Sequence, residues 1–583
     1  MEKKVFVAFA AAVLGLIACN TNDPEYNTDT TDNSTSVIDS TKSVSSLDIS
    51  GQINIVFNGS TAIVSGSYSN VSISNNNGAV IITSTTADWI QYNISGNGNG
   101  SLKIYSTNKG IILSLNNLTL TNTSGVAINS QCKKKNYIVI SGTSTLTDGN
   151  NYSTTDTDGD DAKACFFSEG QMIISGNGSL NIIGNNKHAL CSDDYIYQQG
   201  GSLYLTSNAA DGMKANDGII ITGGTTDITS ADDGITCDTA YVSISGGTQT
   251  ITSLGKGINA YGTVTLSGGK QTIHASDNAL TIDSGAFVIS DNAATSITST
   301  SGKGIKVDLG SVNIKGGTLT ISSYDKGIDL NQGNIYILEG TTTITTTSSS
   351  SSTSGGWGGN QSSGAEGISA GSTSNKMAGS IYIEGGKLEI TASDDAVNAA
   401  TTLEISGGYT YACSTGNDAI DSNGKLNISG GYIVAIGANG AEEPFDCDNS
   451  SNFIVTGGTF FGVGGSTTSF GSSSTQAGIY FSGSTGKTYT IADGSSQLMS
   501  FTLPSSLNGT NVVCSASGIS SGNTYTLYTG STISGYDTNW HGLYVGGTAT
   551  TSSATNSSLT ANSNTNSGRT GGNGENPGGH GGR

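Results

Sequence analysis

Apolar and polar residues alternate along most of this chain. A turn phrase breaks the alternation at regular intervals: one or two polar residues, then Gly or Ala, then an apolar residue. It reads Ala-Asp-Gly-Met at 210–213, Asp-Asp-Gly-Ile at 232–235, Gly-Lys-Gly-Ile at 255–258 and Asp-Asn-Ala-Leu at 277–280. It returns as Gly-Lys-Gly-Ile at 302–305, Asp-Lys-Gly-Ile at 325–328, Asp-Asp-Ala-Val at 394–397 and Asn-Asp-Ala-Ile at 417–420. From 189 to 327 the small residue recurs in steps of 22 to 25 residues. A Gly-Gly pair marks the same interval, for example at 223–224, 246–247, 268–269 and 316–317. Strand-like runs flank each pair. Val242 and Ile244 precede one, Val264 and Leu266 the next, and Ile228, Ile251, Ile273, Ile321 and Ile390 each follow a pair by five residues. Alternation puts these apolar side chains on one face and Ser, Thr or Lys on the other.

Three short strands in every 22–23 residues describe one coil of a parallel β-helix, and a repeat of this length is the signature of a solenoid. No segment carries the 3.6-residue period of a helix. Coils stacked about 4.8 Å apart would pile their inward residues into apolar ladders. A chain with only 34% hydrophobic residues could then still bury a continuous core. We therefore predict an all-β protein built as a right-handed solenoid, the hand that parallel crossovers favour. The predicted organisation is a β-helix over 49–465, with loop insertions near 148–161 and 345–364. A small β domain at 466–549 caps it, and a Gly/Ser/Asn-rich disordered tail fills 550–583.

The N-terminus adds a location. Lys3 and Lys4 precede an apolar run too short to span a bilayer, and Leu16-Ile17-Ala18-Cys19 resembles a bacterial lipobox. Residues 1–18 read as a lipoprotein signal peptide, Cys19 as the lipidated residue, and 19–48 as an acidic, polar tether. We expect an outer-membrane lipoprotein exposed at the cell surface. The other seven cysteines show no CxxC spacing and read as buried free thiols. The net charge of −21 argues against nucleic acid, because phosphate contacts need clustered cations. An acidic sugar polymer would be repelled too unless a cation intervenes. A monomer is expected.

Stacking turns repeats into columns. The residue before each small residue forms one column: Asp211, Asp233, Lys256, Asn278, Lys303, Lys326, Glu366, Asp395, Asp418 and Glu443. Carboxylates on adjacent coils, about 4.8 Å apart, could share one Ca²⁺, which takes oxygen ligands at about 2.3–2.6 Å. The clearest candidate ligands are Asp211 with Asp232 and Asp233, and Asp394 and Asp395 with Asp418. A turn made of Asp-Gly with screened charge is the plain alternative. A second candidate is the run Asp156-Thr157-Asp158-Gly159-Asp160-Asp161, which is like the first half of an EF-hand loop without its final Glu. Lys256, Lys303 and Lys326 interrupt the column. They read as neutralising partners, or as low-priority candidates for a catalytic base. Trp357, in a Gly-rich loop, is a candidate sugar platform. Tyr382, Tyr409, Tyr411 and Tyr432 suit either sugar stacking or packing.

The unit formed by Asp232-Asp233-Gly234-Ile235 and the Ile244-Ser-Gly-Gly-Thr-Gln-Thr-Ile run resembles the bacterial family of carbohydrate-binding-domain β-helices, and the resemblance extends over about 49–549. It implies a pectate-lyase-like solenoid that carries calcium and binds cellulose and acidic sugars such as polygalacturonate. By the same resemblance the turns at 232–234 and 394–396 would be calcium positions, and the Lys residues at 256, 303 and 326 depart from the pattern. The expected function is a non-catalytic, calcium-dependent, polysaccharide-binding surface lipoprotein for plant-type or acidic glycans. The alternatives are a calcium-dependent polysaccharide lyase with a Lys base and an adhesin with a protein partner.

Overall fold

The computed structural model describes residues 43–348, 364–507 and 509–562. Cys19, Trp357, the signal segment, most of the tether, most of the second insertion and the chain from 563 lie outside the described residues. The described chain is all-β, a parallel solenoid of about 16 turns followed by a separate antiparallel sheet.

A typical coil has strands Thr225–Ser230, Ile235–Cys237 and Tyr241–Ile244, and the next repeats them as Thr248–Ser253, Ile258–Ala260 and Val264–Leu266. All three pair in parallel, with Ile228 opposite Ile251, Ile235 opposite Ile258 and Val242 opposite Val264. The Ile228 ladder continues through Ile273, Ile297, Ile321, Ile344 and Ile390, all buried. Each buried Ile contributes about 1.5–3 kcal/mol of transfer free energy. The alternation therefore folds as a solenoid because every coil supplies the same inward atoms to the next.

The two kinds of glycine serve different ends. The second Gly of each Gly-Gly pair is left-handed, with φ +84° at Gly224 and +80° at Gly247, so a side chain there would strain the backbone. The Gly of the Asp-Gly phrase has no positive φ; it is small because a Cβ at Gly234 would collide with Ile251 Cγ2 of the ladder. The same collision holds at Gly212, Gly257, Gly304, Gly327 and Gly367. Where Ala occupies this position at 396 and 419, the equivalent ladder residues are Ala412 and Ala435 rather than Ile. Ala279 is the exception, with Ile297 at its ladder position.

Antiparallel pairing closes both ends. Ile49–Gly59 pairs with Thr61–Ser65, and Val71–Asn76 with Ala79–Ser84. At the far end Asn511–Ser515 pairs antiparallel with Thr459–Gly464, ending the parallel ladder. Beyond lies a six-stranded antiparallel sheet. It reaches past the predicted boundary at 549, because Thr555–Thr560 pairs with Thr524–Thr529 along its whole length. This strand is held by backbone hydrogen bonds at a sheet edge and shows one apolar residue, Leu559, so alternation could not reveal it.

The sheet packs on the outer side of the last coils through a second core that includes Val434, Phe461, Phe501 and Trp540. Three of the candidate sugar platforms belong to this junction. Tyr409 stacks on Tyr432 at 5.1 Å and meets Trp540 at 5.4 Å; Tyr411 stacks on His541 at 3.8 Å. Trp540 Nε1 donates to the Thr410 carbonyl at 3.1 Å. Tyr382 lies elsewhere, stacked on Tyr336 at 5.2 Å. All seven described cysteines are free, and all but the half-buried Cys413 are buried.

Candidate functional site: a corner lined with carboxylates

The Asp-Gly phrase builds one corner of the solenoid, and the backbone there sets its side chains in line. Each small residue donates its N–H to the carbonyl of the column residue one coil later: Gly212 to Asp233 at 3.0 Å, Gly327 to Glu366 at 3.1 Å, Gly367 to Asp395 at 2.9 Å and Ala419 to Glu443 at 3.1 Å. A second bond runs the other way. The N–H of a column residue donates to the side chain one coil earlier: Asp211 to His188 Nδ1, Lys256 to Asp233, Lys303 to Asn278, Asp418 to Asp395 and Glu443 to Asp418. An acceptor side chain in this column therefore has a structural use before any ligand is considered.

Three regions of the corner differ in how their charge is met. In the first, carboxylate oxygens of Asp211, Asp232 and Asp233 lie within 4.8 Å of one another. Burial, reinforced by Asp233 and Asp232 and partly offset by the Thr236 hydroxyl, pushes the Asp211 carboxyl up to about 6. His188 beside it is held neutral, because burial and the charges of Lys214 and Lys187 lower it to about 4. Its Nδ1 accepts the Asp211 N–H at 3.2 Å. Asp233 accepts from the Lys256 N–H at 2.7 Å and the Asn259 amide at 2.8 Å, with Lys256 Nζ 3.9 Å away.

In the middle coils the column reads Lys256, Asn278, Lys303 and Lys326, and the last two lysines are met by carboxylates beside them or on the next coil. Lys303 pairs with Asp329, and Lys326 pairs with Glu366 at 2.7 Å and Asp329 at 3.5 Å. Burial opposes the charge of Lys326, but Glu366 and Asp329 outweigh it and raise its pKa.

In the last coils lysine is gone from the column. Glu366, Asp395, Asp418 and Glu443 succeed one another. Asn398, Asp421 and Asp446 form the neighbouring column three residues on, in parallel register. Asp395 is buried and accepts from the Asn398 amide at 2.9 Å and the Asp418 N–H at 3.1 Å; Asp394 accepts from the Asn417 amide at 2.9 Å. Burial, then the surrounding carboxylates, raises Asp395 and Asp421. Asp418 is pushed to about 8 and Glu443 to about 7, again by burial first and then by neighbours that include Asp446 and Glu442. Glu443 Oε2 is buried with no hydrogen bond.

The loop at 156–161 leaves the coil and folds back over an earlier one. Its carboxylates converge on an ammonium: Lys103 Nζ lies 2.7 Å from Asp156, 3.0 Å from Asp158 and 2.8 Å from Asp160. The Tyr105 hydroxyl donates to Asp160 at 2.5 Å. A neighbouring trio, Asp161, Glu169 and Asp193, was not assembled from the sequence. Lys163 sits between Asp161 at 2.6 Å and Asp193 at 2.7 Å. Contacts across some 50 residues between a loop and an earlier strand leave no spacing signal.

Two overlapping stretches of the chain, 76–352 and 273–419, match the family described as carbohydrate-binding domain-containing proteins; together they cover more than half of it. A solved structure of a polysaccharide lyase-like protein from C. thermocellum, a gadolinium derivative, is also similar. It is 24% identical, the match covers 45% of this chain and 96% of that one, and the TM-score is 0.35. No curated protein matches the chain.

Proposed function

The chain belongs to the family of carbohydrate-binding domain-containing proteins, and from that premise we propose that it binds polysaccharide without cleaving it. In this reading it acts as a lipoprotein, anchored through Cys19 on the bacterial outer membrane and exposed at the cell surface, with Ca²⁺ held on the last coils of the solenoid. Its glycans are plant-type or acidic polymers. The observation that carries the calcium part is the run of Glu366, Asp395, Asp418 and Glu443 beside Asp421 and Asp446, in which no column position is a lysine.

The chemistry of the donor set suits the ion, whereas the trios whose oxygens already converge within 4.8 Å among the described residues are Asp156, Asp158 and Asp160; Asp161, Glu169 and Asp193; and Asp211, Asp232 and Asp233. Ca²⁺ is a hard cation that takes six to eight oxygen ligands, and the last-coil residues offer carboxylate oxygens and little else. The buried, unbonded Glu443 Oε2 is a ready donor. Asp418, Asp421, Glu443 and Asp446 would have to draw in around the ion, because no three of the described last-coil carboxylates bring oxygens within 4.8 Å of one another. Bound there, the ion would neutralise like charges that otherwise repel across adjacent coils, and it could also bridge to a sugar carboxylate. Asp211, Asp232 and Asp233 are the secondary position. The loop carboxylates at 156, 158 and 160 are the weakest, since Lys103 already occupies their centre.

A lyase reading would ask Lys326 to surrender a proton that Glu366 and Asp329 hold more firmly than usual. Non-catalytic binding suits that lysine better. The test is co-sedimentation with insoluble polysaccharides, with calcium and with chelator, alongside incubation with polygalacturonate. Calcium-dependent sedimentation without new ultraviolet absorbance supports the proposal. Release of unsaturated uronides would replace it with a lyase. Surface proteolysis of intact cells checks the location, and full protection of the chain would contradict it.

A further inference from the structure

The chain carries −21 overall, yet its lysines are not evenly spread. At the opposite end of the solenoid from the carboxylate run, one cleft of about 410 Å³ is lined by Trp89, Lys109, Lys133, Lys134, Lys135 and Asp194, among others. Four lysines thus meet one carboxylate in a molecule where acidic groups outnumber basic ones almost two to one. Glu169 stands near Lys133 at 3.9 Å.

The cleft is built by stacked turns rather than by loose side chains. Asn136, almost fully buried, ties the Lys133–Lys135 turn from beneath. Its amide donates to the Cys132 carbonyl at 3.0 Å and the Lys134 carbonyl at 2.8 Å, and it accepts from Ser130 at 2.6 Å. The Ile111 N–H donates to the Lys135 carbonyl at 3.0 Å, fixing the turn on the coil before. Lys109 Nζ lies over the Trp89 ring at 4.9 Å, and Tyr137 braces that ring edge-on at 5.5 Å. Gln171 also lines the cleft.

We infer that this cleft binds an anionic sugar residue of a polysaccharide, with the lysines meeting its carboxylate or sulfate ester. Lysine is a compact, strongly hydrated point charge, suited to either acid group. The volume suits one or two sugar rings. Ionic attraction here needs no calcium, so the anionic polymer that the net charge would repel has a local point of attachment. This rests on the carbohydrate-binding reading of the chain, and it places a second, calcium-independent contact far from the carboxylate run.

The test is affinity electrophoresis of the full chain in chelator, through gels containing polygalacturonate, dextran sulfate or uncharged dextran. A parallel arm sediments the chain with insoluble cellulose. Lys133 and Lys134 are exposed and can be changed without opening the core. We expect at least one anionic polymer to retard the wild type. We expect K133A/K134A to weaken that retardation about tenfold, K133R/K134R to restore it, and added salt to reduce it, as for exposed charge pairs. The two anionic gels separate carboxylate from sulfate recognition. Equal retardation of wild type and K133A/K134A, or binding only to the neutral polymers, would overturn the cleft while leaving the carbohydrate-binding reading in place. Capture by vesicles of acidic phospholipid with no response to any polysaccharide would overturn the cleft, and the binding reading with it.

Discussion

Two acidic regions of this solenoid use similar residues and reach opposite electrostatic states. In the loop at 156–160 three carboxylates surround Lys103, and the next trio is met by Lys163. In the coils from 366 to 446 carboxylates succeed one another in the column, and the column lysine of the coil before, Lys326, is spent on Glu366 and Asp329. The consequence appears in the titration: Asp156 is lowered despite partial burial, because Lys103 and the loop N–H groups favour its charge, whereas Asp418 is pushed up to about 8. Acid clusters are thus not interchangeable as metal sites. What matters is whether the fold already supplies a cation.

Removing the cation from the loop is the harshest way to break the contrast. Lys103 is 13% exposed, so Lys103→Met strands three converging carboxylates. We expect a loss of about 2–3 kcal/mol in chemical denaturation, below the value for a fully buried pair because Asp158 is open to water. Calcium should recover part of the loss in this variant and none in that region of the wild type.

The pH response sharpens the contrast next. Carboxyls raised by folding favour the fold while protonated. Their contribution is complete below the unfolded value of about 4 and is lost as pH rises through the folded values near 7 and 8 of Glu443 and Asp418. Metal-free protein should therefore lose thermal stability between about pH 4 and 8, and the stabilisation gained from calcium should grow across the same window. Melting curves in chelator and in calcium at pH 5 and pH 8 check both statements.

A smaller effect separates the structural use of the column from its charge. Asn278 shows that an amide can accept the N–H from the next coil. Asp418→Asn should keep that bond to Glu443 and, above about pH 8 where Asp418 is ionised, delete one repelling charge. In chelator we expect a gain on the order of 1 kcal/mol, and in calcium a loss, both read by denaturation. The smallest expected change is at the sheet edge. Leu559→Ala in Thr555–Thr560 should cost about 1 kcal/mol or less, because the side chain is only half-buried.

Much of this architecture was legible in the chain because a solenoid repeats its physics. Ile228, Ile251 and Ile273 align in space as they align in sequence, and the same spacing placed Asp395 and Asp418 on adjacent coils. The turn glycine was legible as small, but its reason, a collision with the Ile ladder, needed three dimensions. What breaks the repeat was not legible. Lys103 meets Asp156 only because an inserted loop returns over an earlier coil. Tyr409, Tyr411 and Tyr432 turn outward in every periodic sense, yet a second sheet covers them. Lys133, Lys134 and Lys135 form a cleft with Trp89 because the corners of separate coils stack, and no residue near them in sequence announces it.

Calcium binding followed by calorimetry is the most direct measurement of the central claim, on the wild type, on Asp418→Asn/Asp421→Asn and on Asp156→Asn/Asp158→Asn. The wild type and the loop variant should bind alike, and the variant of the last coils should lose most of the heat. Loss of binding in the loop variant, with the last coils unaffected, would contradict that claim.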